Sequence, residues 1–522
     1  MAKKSTFTYK VAAIVALGGL LMGFDASVVS GVNKFVQIDF KLTDAQLGLS
    51  VGSLTFVAAV AMLFSGTVSD RFGRRIVLKA CAIIFTISAV GSALAPNFTL
   101  FLLFRMLGGI GVGASLILAP MYIAEIAPPK IRGTMVSFNQ LNIVIGISLA
   151  FFTNYLILSL GDSDATWVES LGIGEHNWRW MLGLEALPAV LYFFGLYAVP
   201  RSPRWLVMKG HDEEALKSMT LFRSEAEAKE DLDAVRTTLA ADAEGGQKKA
   251  SLGALFMPAM RLVLIIGLVV AVLQQITGIN SVFFYAPMIF EQTGGGTDAA
   301  FQQAIIVGLV NLVFTVIAMS LIDKLGRKKL LAFGVAGVAI FMGVISYGFS
   351  QATYELKAEN VSALPEGLEV SKIQSMIGQS FESDVVYKEQ LRELLGPVDA
   401  KIYESELITA AIEMNPTIIL VGILGFIASF ALSLGPVMWV LFSELFPLSV
   451  KAIAISFVGF VNSMVSFGVQ SVFPWELSAL GSSTTFLIYG LFAVLGLVFV
   501  ILKVPETKGK SLEELEAILI KK

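Results

Sequence analysis

The chain is a succession of long apolar stretches separated by short polar ones. Stretches of about 20 residues recur, each long enough to cross a hydrocarbon core about 30 Å thick as a helix. Apolar windows predict twelve spans, beginning near Lys10, Leu47, Ile76, Asn97, Arg132, Trp178, Met260, Phe301, Leu330, Asn415, Ala452 and Ser483. Two polar segments break this rhythm. Pro200 to Pro258 reads as short amphipathic helices. In it Ser224, followed three residues on by Glu227, fits a capping box, and the run from Glu244 to Ser251 reads as a flexible joint. Gln351 to Met414 carries Ile373, Met376, Ile377, Leu391, Leu394 and Leu395, spaced for a buried helical stripe; the segment reads first as a family-variable loop and second as a small folded cap.

The polar connections also repeat. DRFGRR from Asp70, after span 2, is echoed after span 8 by DKLGRKK from Asp323. GFD at Gly23 is echoed by GIN at Gly278, and AEIAPPKIRG from Ala124 by SELFPLSVKA from Ser443. The third echo comes at a longer spacing than the first two, so the second half carries an insertion before span 10. Two parallel six-span halves with a site between them near the midplane is transporter architecture. The expected fold is an all-α membrane protein of twelve transmembrane helices in two pseudo-symmetric halves. The boundaries are 1–199 for the first half, 200–259 for a cytoplasmic helical linker, 260–504 for the second half with its external insertion 351–414, and 505–522 for a short cytoplasmic tail.

Composition agrees. Hydrophobic residues make up 55% and charged residues 15%, where soluble domains carry nearer 25% charged; mean hydropathy is +0.75. An even number of spans puts both termini on one side. Most Lys and Arg fall in segments that are cytoplasmic if the N-terminus is inside. Lys3, Lys4 and Lys10 lead into the first apolar run without a small-residue cleavage site, so that span is expected to be retained. The single cysteine, Cys81, excludes an internal disulfide and a Cys-based metal cage. Two histidines, His176 and His211, leave little room for His-dependent catalysis. No metal, cofactor or enzymatic reaction is expected, and a net charge of −3 gives no sign of a nucleic-acid partner.

Two charges stand where charges are expensive. Asp25 lies mid-way along span 1 and Arg105 within span 4. A lone charge at the bilayer centre costs at least about 2.5 to 3.5 kcal/mol, so such residues pair or face a watery cavity. The pair is either a static salt bridge or a proton site. Under the repeat, Asp25 corresponds to the neutral Asn280 and Arg105 to Leu424, so the charges exist in one half only. That asymmetry favours a proton relay.

The second half carries uncharged amides instead. Gln274, Gln275 and Asn280 lie in span 7, with Asn311 in span 8, Trp439 in span 10, Asn462 in span 11 and, from the first half, Gln140 in span 5. Amides offer paired donors and acceptors and an indole offers a flat apolar face, which together suit a neutral polyhydroxylated ring. Amides within spans also glue helices together, each worth about 0.6 to 2 kcal/mol. GRR and GRK after spans 2 and 8 lack the phosphate-loop spacing. They read instead as cytoplasmic clamps in which Arg74, Arg75, Arg132 and Arg327 meet Asp70, Glu125, Asp323 and Glu444, or as solvated positive-inside loops.

GFDASVVSG from Gly23, DRFGRR, AEIAPPKIRG with VSFNQ, QQITGIN, DKLGRKK, GPVMWVLFSELFP from Gly435 and PETKG from Pro505 occur in the order of one family's signatures. Over nearly its whole length the chain resembles the sugar porter branch of the major facilitator superfamily, above all its proton-coupled members. The resemblance implies a rocker-switch fold with Asp25 as proton acceptor and Arg105 as its partner. It also implies sugar contacts from Gln140, Gln274, Gln275, Asn280, Asn311 and Trp439, a lining by Phe426 and Phe430, and Tyr285 at the external gate. Phe284 stands where the family's proton–xylose symporters have a tyrosine, and Asn462 and Ser463 where they have a Gln–Trp pair. Met22 replaces a common aromatic and Arg201 an acid in the motif that here reads PRSPR. Lys451 replaces an arginine, whose bidentate pairing a lysine does not reproduce.

The expectation is therefore a proton-coupled importer of a neutral monosaccharide, acting as a monomer in the bilayer of a bacterial inner membrane with both termini cytoplasmic. A facilitative uniporter of the same fold would keep the amides and use Asp25–Arg105 as a strut. A non-transporting sugar sensor is less expected, because only some 20 residues follow span 12.

Overall fold

The computed structural model describes residues 2–128, 131–244, 252–365, 367–447, 450–510 and 514–515. Among these, eleven helical segments are long and apolar enough to cross a membrane. They are span 1, Ala2–Asp39; span 2, Asp44–Phe72; span 3, Arg74–Ala93; span 4, Phe98–Ile126; and span 5, Arg132–Gly161. After them come span 7, Pro258–Phe284; span 8, Gly296–Leu325; and span 9, Arg327–Ser350. Span 10 is Pro416–Leu445, span 11 Lys451–Ala479 and span 12 Gly481–Lys503.

The sixth predicted span is present but interrupted, running as two short helices, Asn177–Gly183 and Ala186–Gly195. Pro188 supplies the cause. It lacks an N–H and its ring crowds the carbonyl four residues back, at Leu184. The chain turns at Leu184–Glu185 and resumes a helix beyond. Span 10 breaks at Ser433 for the same reason, with Pro436 opposing the carbonyl of Leu432.

Span 7 breaks twice. Its first helix, Arg261–Ile276, ends before Gly278, which adopts φ +82°, a conformation that costs a residue with a Cβ. A second piece, Ile279–Phe284, stops at Tyr285, two residues before Pro287, and a third runs Ala286–Glu291. Close helix approach in the first half rests on another glycine. A Cβ built on Gly23 would lie 2.0 Å from the carbonyl oxygen of Ile143, so span 1 reaches the backbone of span 5 only because that side chain is absent.

Contacts group the chain into two compact units that cut across the order of the spans. One comprises Met1–Ala26, Ser53–Ala150 and Leu182–Met257. Its core joins Leu21, Leu78, Phe85, Leu118, Tyr122 and Tyr192. It also holds the helices Pro203–Met208, Asp212–Thr220 and Glu225–Glu244, which share a smaller core around Trp205, Leu206, Met219 and Leu232. The Ser224–Glu227 box forms there, with Ser224 N donating to Glu227 Oε2 at 2.9 Å and Glu227 N to Ser224 Oγ at 3.3 Å. The expected joint at 245–251 lies outside the described residues.

The other unit comprises Ser27–Gly52, Phe151–Met181 and Pro258–Lys522. It contains the insertion, which folds as a cap with its own core. Three short antiparallel strands, β1 Thr353–Glu355, β2 Ser380–Phe381 and β3 Ile412–Glu413, lie in the order β2-β1-β3. Tyr354 pairs with Phe381 on one side and Ile412 on the other. Its ring stacks on Tyr387 at 5.4 Å, whose hydroxyl donates to Leu407 O. Ile373, Met376, Leu391 and Leu395 are buried here, while Ile377 and Leu394 are partly buried. They do not form one helical stripe, since Ile373 ends a single turn and Leu391 and Leu395 lie on the helix Asp384–Leu395. The sheet is the one departure from an all-helical fold among the described residues.

Ion pairs hold this cap together and hydrogen bonds tie it to its neighbours. Asp384 accepts from Ser482 N at 3.1 Å and so caps the first turn of span 12. Glu404 lies 2.8 Å from Lys401 and 3.7 Å from the buried Lys388, and accepts from Gln292 at 3.4 Å. Burial alone would raise the Glu404 carboxyl, but Lys401 and Lys388 outweigh it and hold its pKa down to about 2. A carboxyl depressed on folding stabilises the folded form above its unfolded value, and that contribution is lost as pH falls towards 2. At neutral pH, Glu404→Gln is expected to lower the cap's protection against amide exchange by up to about 3 kcal/mol. The gap between wild type and variant should narrow as pH drops below about 4.5. A gap unchanged between pH 6 and pH 3 would show that the charge of Glu404 does not hold the cap.

Candidate functional site

In the first unit, span 1 and span 4 bring Asp25 and Arg105 together. Arg105 Nη1 donates to Asp25 Oδ1, and Nη2 to the Asp25 carbonyl at 3.2 Å. Both residues are buried, at 0% and 1% exposure. Gly108, one turn along span 4 from Arg105, makes the space. A Cβ there would lie 2.9 Å from Asp25 Oδ2 and 2.6 Å from Ser88 Oγ. Asp25 Oδ2 and Arg105 Nε have no hydrogen-bond partner among the described residues.

A third charged group completes the cluster. Glu185 sits at the break of span 6, is 1% exposed, and lies within electrostatic reach of both Asp25 and Arg105. Its Oε1 also lacks a partner among the described residues. Two buried acids thus lie in the electrostatic surroundings of one buried guanidinium, which among the described residues is ion-paired to Asp25 alone. The sequence reading passes over Glu185, although a search for charges inside apolar windows would have found it as it found Asp25.

In the second unit, four of the expected amides form one network. Gln275 Nε2 donates to Gln274 Oε1 at 3.0 Å and to Asn462 Oδ1 at 3.2 Å. Asn462 Nδ2 donates to Gln274 Oε1 and to the Ala271 carbonyl, both at 2.8 Å. Asn280 Nδ2 donates to Gln275 Oε1 at 2.9 Å and to Ser466 Oγ at 2.7 Å, and Gln470 donates to that same hydroxyl. Gln274 reaches Leu434 O at 3.1 Å, in the first turn of the second helix of span 10. Ser466 and Gln470 are members that sequence reasoning missed.

The remaining candidates are placed around or apart from this network. Phe426 and Phe430 pack 6.4 Å apart on span 10, both buried. Trp439 is 39% exposed, with its edge on Phe442. Asn311 is buried in span 8 but has no hydrogen bond to the network, and Gln140 belongs to the first unit, where it is exposed.

Breaking span 7 at Tyr285 leaves carbonyls for other partners. Phe284 O accepts from Asn33 Nδ2 of span 1 at 2.8 Å, and Tyr285 OH donates to Gln470 O at 3.0 Å. Beyond them Lys34 pairs with Glu291 at 3.0 Å and donates to Thr297 at 2.7 Å, and Asp44 accepts from Ser478 at 2.6 Å. The ends of spans 1 and 2 are thus tied to spans 7, 8 and 11. The tying residues Asn33, Lys34 and Asp44 are absent from the sequence candidates, being ordinary polar residues at helix ends.

The clamps form separately within each unit. Arg74 lies 2.7 Å from Asp70 and 3.1 Å from Glu125, and Arg327 lies 2.8 Å from Glu444. Glu125 and Glu444 each also have a hydroxyl partner from a motif after a half's last span: Ser202 Oγ for Glu125, Thr507 Oγ1 for Glu444. Arg75 differs from its expected role, donating to the carbonyls of Leu196 and Tyr197 and not to an acid. The side chains of Arg132 and Asp323 lie outside the described residues. Neighbouring Glu506 is half-buried. Burial raises its carboxyl, but the backbone N–H groups of Lys508 and Arg327 hold it below the usual range.

Comparison with known proteins gives this geometry a context. The family described as "Sugar (and other) transporter" matches residues 11–364 and 401–519. The arabinose-proton symporter of Bacillus subtilis is 35% identical over 516 residues, covering 99% of this chain and 96% of the relative. The D-xylose-proton symporter of Escherichia coli is 33% identical over 547 residues, covering 98% and 96%. A partially occluded, inward-open structure of the xylose transporter XylE from E. coli superposes with a TM-score of 0.73 at 31% identity, covering 97% of this chain and all of that one.

Proposed function

We infer a function from one fixed premise: the chain belongs to the sugar transporter family, in the sugar porter branch of the major facilitator superfamily. It is a multi-pass membrane transporter and not an enzyme. We propose that it imports a neutral monosaccharide together with a proton by alternating access, as two six-span halves, 1–199 and 260–504.

The observation that carries the proton is the buried cluster of Asp25, Arg105 and Glu185. Two acids and one guanidinium balance their charge only with one proton aboard, and an unbalanced charge in low dielectric is costly. Bond rearrangement between protonated and unprotonated forms is local. Arg105 either shares itself between both carboxylates or holds Asp25 alone. Sugar is bound in the second half, where Asn280 Oδ1 and one Gln274 N–H remain unused by the network. Trp439 offers its face to the ring, and Phe426 and Phe430 line the pocket. No cation in this set would suit a carboxylate or phosphate ligand.

The contacts of Asn33, Lys34 and Asp44 support an assignment of this conformation as closed on the outer side, with Phe284 and Tyr285 at the gate. Outward opening would part Asn33 from Phe284 and Lys34 from Glu291. The basic loops favour cytoplasmic termini, and the bacterial relatives support an inner membrane. A pentose is the favoured cargo, supported by the arabinose and xylose named for those relatives.

Uptake of labelled L-arabinose, D-xylose and D-glucose into proteoliposomes tests this directly. An inward proton gradient should concentrate at least one sugar about tenfold or more, and a protonophore should collapse that excess. Uptake that only equilibrates, with or without the gradient, would make the protein a uniporter.

A further inference from the structure

Glu476, within span 11 of the second half, is an acid that sugar and proton binding leave unused. It is half-buried and accepts a hydrogen bond of 2.6 Å from the Tyr489 hydroxyl of span 12. The ring of Tyr489 in turn occupies the space beside Gly278. A Cβ built there would lie 2.3 Å from Cδ2 and 2.4 Å from Cε2 of that ring. Gly278 is the residue of positive φ at the first break of span 7.

The second break rests on the same assembly. Phe473 stacks on Tyr489 at 6.3 Å and packs on Tyr285 at 5.2 Å. Glu476 follows Phe473 by three residues, on the same face of span 11. The piece between the breaks carries Asn280, which binds the amide network, and Phe284, whose carbonyl binds Asn33. Any swing of this piece changes the backbone at Gly278 and must slide past the Tyr489 ring.

We propose that Glu476 and Tyr489 form a positioning pair for the Gly278 hinge, holding the ring against the break and thereby setting how readily the outer half of span 7 opens. This rests on the alternating-access reading. A carboxylate near a helix end has a bland explanation, since it can reach the interface at low cost. That explanation accounts for tolerance of the charge. It does not account for its use as the acceptor that orients the ring filling Gly278.

A hydrogen bond to a charged acceptor is worth a factor of about ten or more in an equilibrium. Full-length protein in proteoliposomes is assayed by counterflow of labelled D-xylose and L-arabinose, with sugar varied on each side in turn. Tyr489→Phe keeps the ring and removes only the hydroxyl; Glu476→Ala removes the acceptor. Each is expected to lower the outside half-saturation concentration severalfold, to about tenfold, and to raise the inside one. Amide exchange over 277–286 should accelerate in both. The double variant should match the singles, because both remove one interaction. Glu476→Gln, which keeps a neutral acceptor, should recover part of the effect.

Unchanged half-saturation on both sides overturns the proposal, even where exchange accelerates, because packing alone would then explain the pair. Effects that multiply in the double variant also overturn it. A wild type that exchanges neither sugar removes the transport reading and this role together. That outcome is distinct from a pair that fails in an active protein.

Discussion

Replacing Asp25 with asparagine is expected to abolish gradient-driven accumulation while leaving sugar exchange intact. With 100 mV across the membrane, one proton per sugar contributes about 2.3 kcal/mol. That corresponds to an accumulation of roughly 50-fold for wild type against none for the variant. The size of the effect follows from the geometry. The introduced amide would keep the carbonyl that accepts from Arg105 but cannot take up a proton. Arg105 would keep the buried acid Glu185 in its electrostatic surroundings. The variant should therefore fold. The double change Asp25→Asn with Glu185→Gln strips both acids from a buried guanidinium and should destabilise by about 3 to 5 kcal/mol, seen as a lower melting temperature in detergent. Accumulation by Asp25→Asn equal to wild type would remove Asp25 from the proton path. Loss of counterflow along with accumulation would mark it as structural.

Much of this site is legible in the sequence, for a physical reason. A charge in an apolar window is conspicuous because the bilayer gives it no water, so Asp25 and Arg105 announce themselves. Amides inside spans do so more weakly, yet Gln274, Gln275, Asn280 and Asn462 do converge. Residues whose role depends on a partner elsewhere stay hidden. Ser466 and Gln470 are unremarkable in composition and matter because Asn280 meets them. Lys34 and Asp44 read as ordinary interfacial polar residues until their partners Glu291 and Ser478 are in place.

The fold divides along a similar line. Hydropathy locates the spans because length and apolarity are local properties. The breaks were within reach, since Pro188, Pro287 and Pro436 each oppose a carbonyl four residues back, but hydropathy averages across them. The cap was legible as apolar residues and not as a sheet. Its strands are two or three residues long, too short for an alternating pattern to register. Tertiary pairing around Tyr354 makes them strands.

Gln275→Ala is expected to weaken sugar binding about ten- to a hundredfold, the largest loss among single amide changes. Gln275 is the hub: it donates to Gln274 and Asn462 and accepts from Asn280. Deleting it leaves the buried Asn462 Oδ1 without a hydrogen bond among the described residues, at a cost of about 1 to 3 kcal/mol, and removes one of the two bonds made by each of Gln274 Oε1 and Asn280 Nδ2. Those groups then turn to water or to one another, and the atoms that would meet sugar lose their orientation. The competing account is that the amides glue spans 7, 10 and 11, which Leu434 O, Asn462 and Ser466 indeed connect. The two roles separate in measurement. Glue predicts a lower melting temperature with affinity retained in the fraction that stays folded. A binding site predicts that the folded fraction loses affinity. Titration calorimetry with the best transported sugar, beside a melting curve of the same sample, reads both. A second arm uses the sugar itself. A site built to hydrogen-bond a hydroxyl rejects analogues that lack it far more strongly than an apolar pocket rejects a missing methylene. A deoxy analogue should bind wild type much more weakly than the parent sugar, and Gln275→Ala should lose that discrimination at one hydroxyl. Equal binding of parent and all deoxy analogues by wild type would mean that the network holds helices and that sugar is recognised elsewhere.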